Sequence, residues 1–260
     1  MKYLLWAVLM LLCLAAAGVL AVAAEGYMTA RKILKKKPVL FAAEETESRS
    51  DFCPFDAISE KCRRVFVGTE DQRFYRHHGT DWISIWHSVL YNLKKGFWTV
   101  EIYNGKRIRK LHGSSTITNQ LARNLFLSQE RSVKRKAAEF FITREIEKKL
   151  SKDRILALYL NVIDYSDQCI GILPASRHYY GIEPAALGIN QSASLQAIVK
   201  YPSQFHPIRF PKYFADSRKF ALGSLVINKV ITEEMKAVLL KEPWDAPDQP
   251  GMECLPVREQ

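Results

Sequence analysis

Two glutamates stand out for the residues around them. Glu70 opens the run Glu70-Asp71-Gln72-Arg73-Phe74-Tyr75-Arg76-His77-His78-Gly79, a carboxylate among aromatic and imidazole neighbours, and Glu139 follows downstream in a stretch rich in cations. Two carboxylates converging on one ligand suit sugar chemistry, where one handles a proton and the other steadies developing positive charge. Thr69 can N-cap a helix here, with Gln72 completing a capping box and Gly79 closing the helix in a left-handed conformation. The spacing therefore predicts Glu70 and Asp71 in a first turn. Acids there also have a plainer use, complementing the helix dipole for a few tenths to about 1 kcal/mol.

Glu139 belongs to a helical pattern from Ser132 to Leu150. Steps of about 100° per residue put Ile142, Ile146 and Leu150 on one stripe with Glu139 in its middle, so the pattern predicts a carboxylate on an inward face. Burying that charge is costly without a partner, and Arg135, one turn earlier, can supply it. An ion pair holding helices together is the simplest role. Arg123, Arg131, Lys134, Arg135 and Lys136 nevertheless outnumber the single nearby acid Glu130, and an anionic ligand such as a pyrophosphate accounts for the excess. A solvated basic face is the competing view. Gly113-Ser114-Ser115-Thr116-Ile117-Thr118-Asn119-Gln120 forms a small, hydroxyl-rich helix start whose amides and side chains can hold oxygen-rich groups.

A chain of 260 residues, 25% charged and 48% hydrophobic, is enough for one globular domain with a sizeable core and an appendage. Tyr3 to Ala24 carries no charge. As a helix it spans about 33 Å, against about 30 Å of bilayer hydrocarbon. Ala21-Val22-Ala23 resembles a cleavage site, but the run exceeds the usual signal core and is expected to stay as an anchor. Arg31, Lys32, Lys35, Lys36 and Lys37 follow it, and the positive-inside rule taken alone would hold the domain in the cytoplasm. A net charge of +11 implies an anionic partner: nucleic acid, acidic head groups or a phosphorylated substrate. With an anchor attached, nucleic acid drops out. Besides Cys13 in the anchor, Cys53, Cys62, Cys169 and Cys254 allow three pairings. Cys53 with Cys62 is the local choice in an oxidising compartment, and free buried thiols are the alternative. No CxxC or His cluster suggests zinc.

Residues 25 to 60 read as a short helix and an irregular connector. Ile83, Ile85, Trp86, Val89, Leu90 and Leu93 recur at helical spacing, for which core packing is the plainest role. Trp98 to Tyr103, Asn104-Gly105 and Lys106 to Leu111 predict a β-hairpin, either solvated or resting on a membrane surface. Helical patterns fill Ile117 to Phe126, Lys152 to Asn161, Leu173 to Tyr180, Ser192 to Val199 and Ser217 to Leu240.

In this order, the pieces resemble the peptidoglycan glycosyltransferases of glycosyltransferase family 51, lysozyme-like enzymes that polymerise lipid II. The match is carried by Glu70-Asp71-x-x-Phe74-x-x-His77-x-Gly79, Gly113-x-Ser115-Thr116-Ile117-Thr118-x-Gln120, and Arg135-Lys136-x-x-Glu139. Lys152-Asp153-Arg154-Ile155-Leu156-x-Leu158-Tyr159-Leu160-Asn161 is similar to the family's fourth motif, and Tyr179-Tyr180-Gly181 and Tyr201-Pro202-Ser203 to later markers. Asn119 stands where the family usually has glutamine, Arg123 where it has lysine, and Asp164-Tyr165-Ser166 departs from its aromatic-glycine turn. Ser-x-x-Lys occurs nowhere in the sequence, so the resemblance implies an enzyme without the transpeptidase of bifunctional relatives.

The implied fold class is mainly α, a lysozyme-like glycosyltransferase domain with an N-terminal transmembrane helix and a small β-hairpin. The implied organisation is an anchor over 1–25, a connector over 26–60, the transferase domain over 61–245 and a tail over 246–260. Glu70 would remove the proton from the acceptor's 4-hydroxyl. Glu139, held by Arg135 and Lys136, would steady the oxocarbenium-like sugar or orient the donor's phosphates. Attack opposite the leaving lipid pyrophosphate would invert an α-linked donor to a β-1,4 linkage. Asp71, Phe74, His77, Ser115, Thr116, Thr118, Gln120, Arg123, Asn124, Arg131, Arg135, Lys136, Tyr159 and Asn161 are the expected substrate-binding residues. No cofactor is required, with room for a divalent magnesium or manganese ion. The expected partners are lipid II, the growing glycan and the cytoplasmic membrane, with penicillin-binding transpeptidases or divisome proteins beyond them. The domain is expected on the outer, periplasmic face of a bacterial cytoplasmic membrane. A wall-cleaving muramidase and a silent membrane-anchored binding protein are the alternatives.

Overall fold

The computed structural model describes residues 2–94, 99–103, 106–110, 115–128, 130, 132–200, 211–242 and 254. Its first helix, α1 (Lys2–Lys36), continues unbroken past the end of the apolar run. It contains the one described helix long and apolar enough to cross a membrane, and Trp6, Met10, Leu12, Leu14, Val19 and Leu20 on it are exposed. From Glu25 onward the same helix lies against α6 (Val133–Lys149). Gly26 allows this close crossing: a Cβ there would lie 2.4 Å from the Cβ of Ala137. The ring of Tyr27 meets that of Phe141 edge-on, and Ala30 is buried one turn further on.

α2 (Val39–Glu47) follows and is tied to α7 (Lys152–Val162) by a two-pronged pair of Glu47 with Arg154, both contacts at 2.7 Å. Every side chain of α7 from Ile155 to Asn161 is buried, which makes it the central helix. α5 (Ile117–Phe126) packs between α6 and α7. α3 (Glu60–Glu70) packs on α9 (Ile189–Lys200) and α10 (Pro211–Ile227). Phe66, Phe74, Leu121, Ile142, Ile146, Leu158 and Tyr159 fill the main core, and Val65, Leu222, Leu225 and Ile231 a smaller one. α8 (Ile172–Tyr180) and α11 (Glu233–Lys241) complete the helical body.

Several expectations are corrected. The helix predicted from Glu70 to Gly79 is absent, because Thr69 donates its hydroxyl back to the carbonyls of Val65 and Phe66 inside α3 instead of capping a new helix. Glu70 therefore ends a helix, and only one 3-10 turn (Phe74–Arg76) follows before Gly79. The stretch from Ser217 to Leu240 is two helices, because Lys229 takes a left-handed φ of 57° and Thr232 caps a fresh start. On α4 (Trp82–Lys94) the buried side chains are Ser88 and Asn92, while Trp82 is 67% and Trp86 62% exposed, so its apolar face does not pack into the core.

The fold class is corrected too: the domain is built of helices, and a hairpin is no layer of it. The strands present among the described residues, β1 (Thr99–Tyr103) and β2 (Lys106–Lys110), pair antiparallel in a two-stranded sheet that adds no third strand. Such a ribbon is marginal by itself. Trp98, Asn104, Gly105 and Leu111 lie outside the described residues.

The local cysteine pairing gives way to a distant one, Cys169 with Cys254. Cys53 and Cys62 are buried free thiols. Burial pushes them up to about 11 and about 12 respectively, which leaves both protonated and inert.

Candidate active site

Glu70 is held from two sides. Gln120 of α5 donates its amide to Oε2 at 2.6 Å, and Gln196 of α9 donates to Oε1 at 2.7 Å. Tyr159 fixes the first of these, since its hydroxyl donates to Oε1 of Gln120 at 3.3 Å and leaves the amide nitrogen for Glu70. Burial, then the charges of Glu70 and Asp71, raise the Tyr159 phenol well above its ordinary value, against an opposing pull from Arg123. Tyr159 thus stays a neutral donor.

Asp71 knits the following loop to α5. Its carboxylate accepts from Nε2 of His77 at 2.9 and 3.0 Å and from the backbone N–H of Ile117 at 3.1 Å. Nδ1 of His77 in turn accepts from the N–H of Gly79, so the ring proton belongs on Nε2. Gly79 needs its φ of 86°, and a Cβ there would come within 2.6 Å of Thr143. Thr116 donates to the carbonyl of Gly79 at 2.7 Å and shares a capping box with Asn119 at the start of α5. Phe74 is fully buried beneath the loop, with the Lys152 ammonium 4.4 Å from its ring centroid.

Glu139 is only 3% exposed and lies on the buried stripe of Ile142 and Ile146. Arg135 donates to Oε2 at 2.6 Å, and Lys136 reaches both Oε1 and the hydroxyl of Ser115, the latter at 3.2 Å. The Nε of Arg135 is buried without a partner among the described residues, as is that of Arg123 one turn beyond Gln120.

α5 is therefore shared by both carboxylates. Gln120 serves Glu70, while Ser115, just before the helix, reaches Lys136 beside Glu139, and Asn119 donates to Thr143 of α6 at 2.9 Å. The expected residues thus form one group around Glu70 (Gln120, Tyr159) and another around Glu139 (Arg135, Lys136, Ser115), while Asp71, His77 and Thr116 tie the loop after Glu70 to the start of α5. Two others are engaged elsewhere. Thr118 donates to Glu147, and Asn161 clasps both backbone polar groups of Cys53 at 2.8 Å. Asn124 follows Arg123 on α5, and Arg131 lies outside the described residues. Gln196 was not foreseen, since it lies outside the quoted motifs, between Tyr179-Tyr180-Gly181 and Tyr201-Pro202-Ser203, and only tertiary packing brings it to Glu70.

Asp71, His77 and Asp81 gather ligand atoms within 4.8 Å of one another. They fit magnesium or manganese poorly. Arg73 binds both oxygens of Asp81 at 2.9 and 3.0 Å, and the Asp71 oxygens are taken up as described. A hard divalent ion needs about six free oxygen ligands. A cavity of about 690 Å³ opens beside this loop, lined by Arg76, His78, Trp82, Phe140, Arg144 and Lys148 among others, and its lining includes neither Glu70 nor Glu139.

Comparison with known proteins places residues 37–226 under the family model described as Transglycosylase. A biosynthetic peptidoglycan transglycosylase of Nitrosospira multiformis is 37% identical over 177 residues, covering 68% of this chain and 72% of its own length. One of the same name from Nitrosomonas eutropha is 43% identical over 177 residues, 68% and 67% of the two chains. Penicillin-binding protein 1A of Escherichia coli is 35% identical over 191 residues, 74% of this chain but 20% of that one.

Proposed function

This chain belongs to the transglycosylase family, and from that premise we propose that Glu70 is the base, and the cluster of Arg135, Lys136 and Glu139 the phosphate-side partner, of its glycosyl transfer. The protein is a peptidoglycan glycosyltransferase that polymerises lipid II, and within these 260 residues it is a transferase alone.

Each carboxylate oxygen carries two lone pairs, so Glu70 can accept amides from Gln120 and Gln196 and still take a proton from the acceptor's 4-hydroxyl. The acceptor oxygen then attacks the anomeric carbon of the donor as the bond to the lipid pyrophosphate breaks. Pyrophosphate leaves without prior protonation if cations receive its charge, and the Arg135 and Lys136 side chains are available for that. Glu139 keeps both cations oriented and stands near the developing positive charge of the sugar.

One observation carries this reading. Glu25, the first charge after Lys2, forms an ion pair with Lys134 at 2.6 Å. The end of the apolar segment is thus level with the first turn of α6, next to Arg135 and Lys136, and Glu139 stands about 7.5 Å further along the axis. A lipid-linked pyrophosphate sits in that head-group layer. The exposed Trp82 and Trp86 of α4 suit the same interface. We assign the anchor to residues 1–25, the connector to 26–60, the transferase domain to 61–245 and the tail to 246–260. The domain would face the outside of the cytoplasmic membrane, where penicillin-binding transpeptidases or divisome proteins are its natural company.

The test is Glu70→Gln in liposomes with purified lipid II. Glycan-chain formation should fall by about 10² to 10⁴-fold with the helical content unchanged. Undiminished polymerisation removes Glu70 from the role of base, and cleavage of preformed glycan by the unaltered protein would favour a muramidase.

A further inference from the structure

Cys169, Cys254 and His178 meet at a point that the glycosyl transfer does not use. Two sulfurs and a ring nitrogen lie within 4.8 Å of one another there. Cys169 is fully buried and His178 is 8% exposed. Joined as a disulfide, the cysteines offer the imidazole nothing: Nδ1 of His178 is buried without a hydrogen-bond partner among the described residues. Such an orphan costs about 1 to 3 kcal/mol and calls for a partner, a water or an ion, or for a redox role.

The other ring nitrogen has a neighbour. Nε2 faces Oδ2 of Asp167 at 3.4 Å. A carboxylate there keeps the proton on Nε2 and leaves Nδ1 a bare lone pair, the outer-shell arrangement that orients metal-ligating histidines. The loop bearing Cys169 is also held in a costly shape. Ser166, Asp167 and Gln168 have φ of 69°, 48° and 63°, three consecutive non-glycine residues in the left-handed region. Backbone hydrogen bonds from Tyr165 to Cys169 and from Cys169 to Ser166, at 2.9 and 2.8 Å, pin it. Conformations of this kind persist where surroundings over-determine them, and they cluster at functional sites.

We propose that, once the disulfide is reduced, Cys169, Cys254 and His178 form a tetrahedral site for a thiolate-binding divalent cation of the zinc type, with water as the fourth ligand. Reduction takes two electrons from a thiol or phosphine reductant and two protons, from the thiols themselves or, with a phosphine, from the water whose oxygen it takes up, and yields two thiols. Binding the cation moves no electrons: two S–H bonds give way to two metal–sulfur bonds, and two protons pass to solvent. The ligand set of two sulfurs and one imidazole selects zinc over magnesium or manganese. Residue 254 is then fastened to the loop after α7 in either state, by a covalent bond or by a metal.

The test uses the full chain in detergent, reduced with a phosphine and stripped of metal under anaerobic conditions. Zinc is then added, and the metal retained after gel filtration is measured. Cobalt substitution reports thiolate ligation by its absorption. A Cys13→Ser, Cys53→Ser, Cys62→Ser background leaves the proposed ligands as the remaining cysteines. We expect one equivalent of zinc retained with release of two protons, its loss in Cys254→Ser, and a weakened cobalt spectrum in His178→Ala. If that background does not fold, the natural chain against Cys254→Ser alone decides. No retained zinc, or retention untouched by both Cys254→Ser and His178→Ala, overturns the proposal.

Discussion

Replacing Asp71 by asparagine isolates what this carboxylate does for the fold. It takes hydrogen bonds from Nε2 of His77 and from the N–H of Ile117, and Nδ1 of His77 is already committed to Gly79. The imidazole therefore cannot turn its lone pair toward residue 71 without losing Gly79. Asparagine presents one oxygen and one NH₂: with the oxygen in the place of Oδ2 it still accepts from His77 and Ile117, but its NH₂ then faces the Nε2–H of His77 and is itself the donor left without an acceptor. The change removes one charge-assisted hydrogen bond, about 1.5 to 3 kcal/mol, and leaves one buried donor unsatisfied, about 1 to 3 kcal/mol. Together the loss is about 2.5 to 6 kcal/mol. At about 2 to 4 °C per kcal/mol for a domain of this size, the melting temperature should drop by roughly 10 °C. Thermal melts followed by circular dichroism in detergent, on Asp71→Asn, His77→Ala and the double variant, provide the assay. A fall below about 2 °C, or additive single effects where coupled residues should not add, would refute the reasoning.

Gln196→Leu keeps the bulk on α9 but strips Oε1 of Glu70 of its donor. With a charged hydrogen bond worth about 1.5 to 3 kcal/mol, kcat on lipid II should fall by about 10 to 100-fold with KM little changed, and an unchanged kcat would deny Gln196 a positioning role. Gly26→Leu forces side-chain atoms into Ala137 and should cost about 1 to 3 kcal/mol, read as a lower melting temperature that Ala137→Gly partly restores. Burial opposes the charged form of Asp81, but hydrogen bonds from Arg73 and Ser84 prevail and pull it from 3.8 down to about 2. Its contribution to stability is therefore full above 3.8 and lost as pH falls toward about 2, and Asp81→Asn should flatten that part of an acid-unfolding curve.

Local rules were legible where local chemistry decides. The hydroxyl-rich helix start before Ile117, the buried stripe of Glu139, Ile142 and Ile146, and the i,i+4 pairing of Arg135 with Glu139 all follow from residue type and helical spacing. Thr69 misled because a hydroxyl can bond forward to amides or back to carbonyls. Ser59 had already capped a helix whose buried Cys62, Val65 and Phe66 carry it through Glu70. The apolar spacing of α4 was visible, but periodicity says which residues share a face and nothing about what covers it. Gln196 beside Glu70 and Cys254 beside Cys169 are contacts between residues 126 and 85 positions apart, which only packing creates.

The uninterrupted passage of α1 from bilayer to α6 has a kinetic consequence. An enzyme splinted to its own span cannot tilt toward bulk water to collect substrate, so its encounters take place within a plane. Turnover should then scale with the mole fraction of lipid-linked sugar in the vesicle and be insensitive to how much buffer surrounds it. Adding inert phospholipid at fixed total substrate should slow the reaction as surely as removing substrate does.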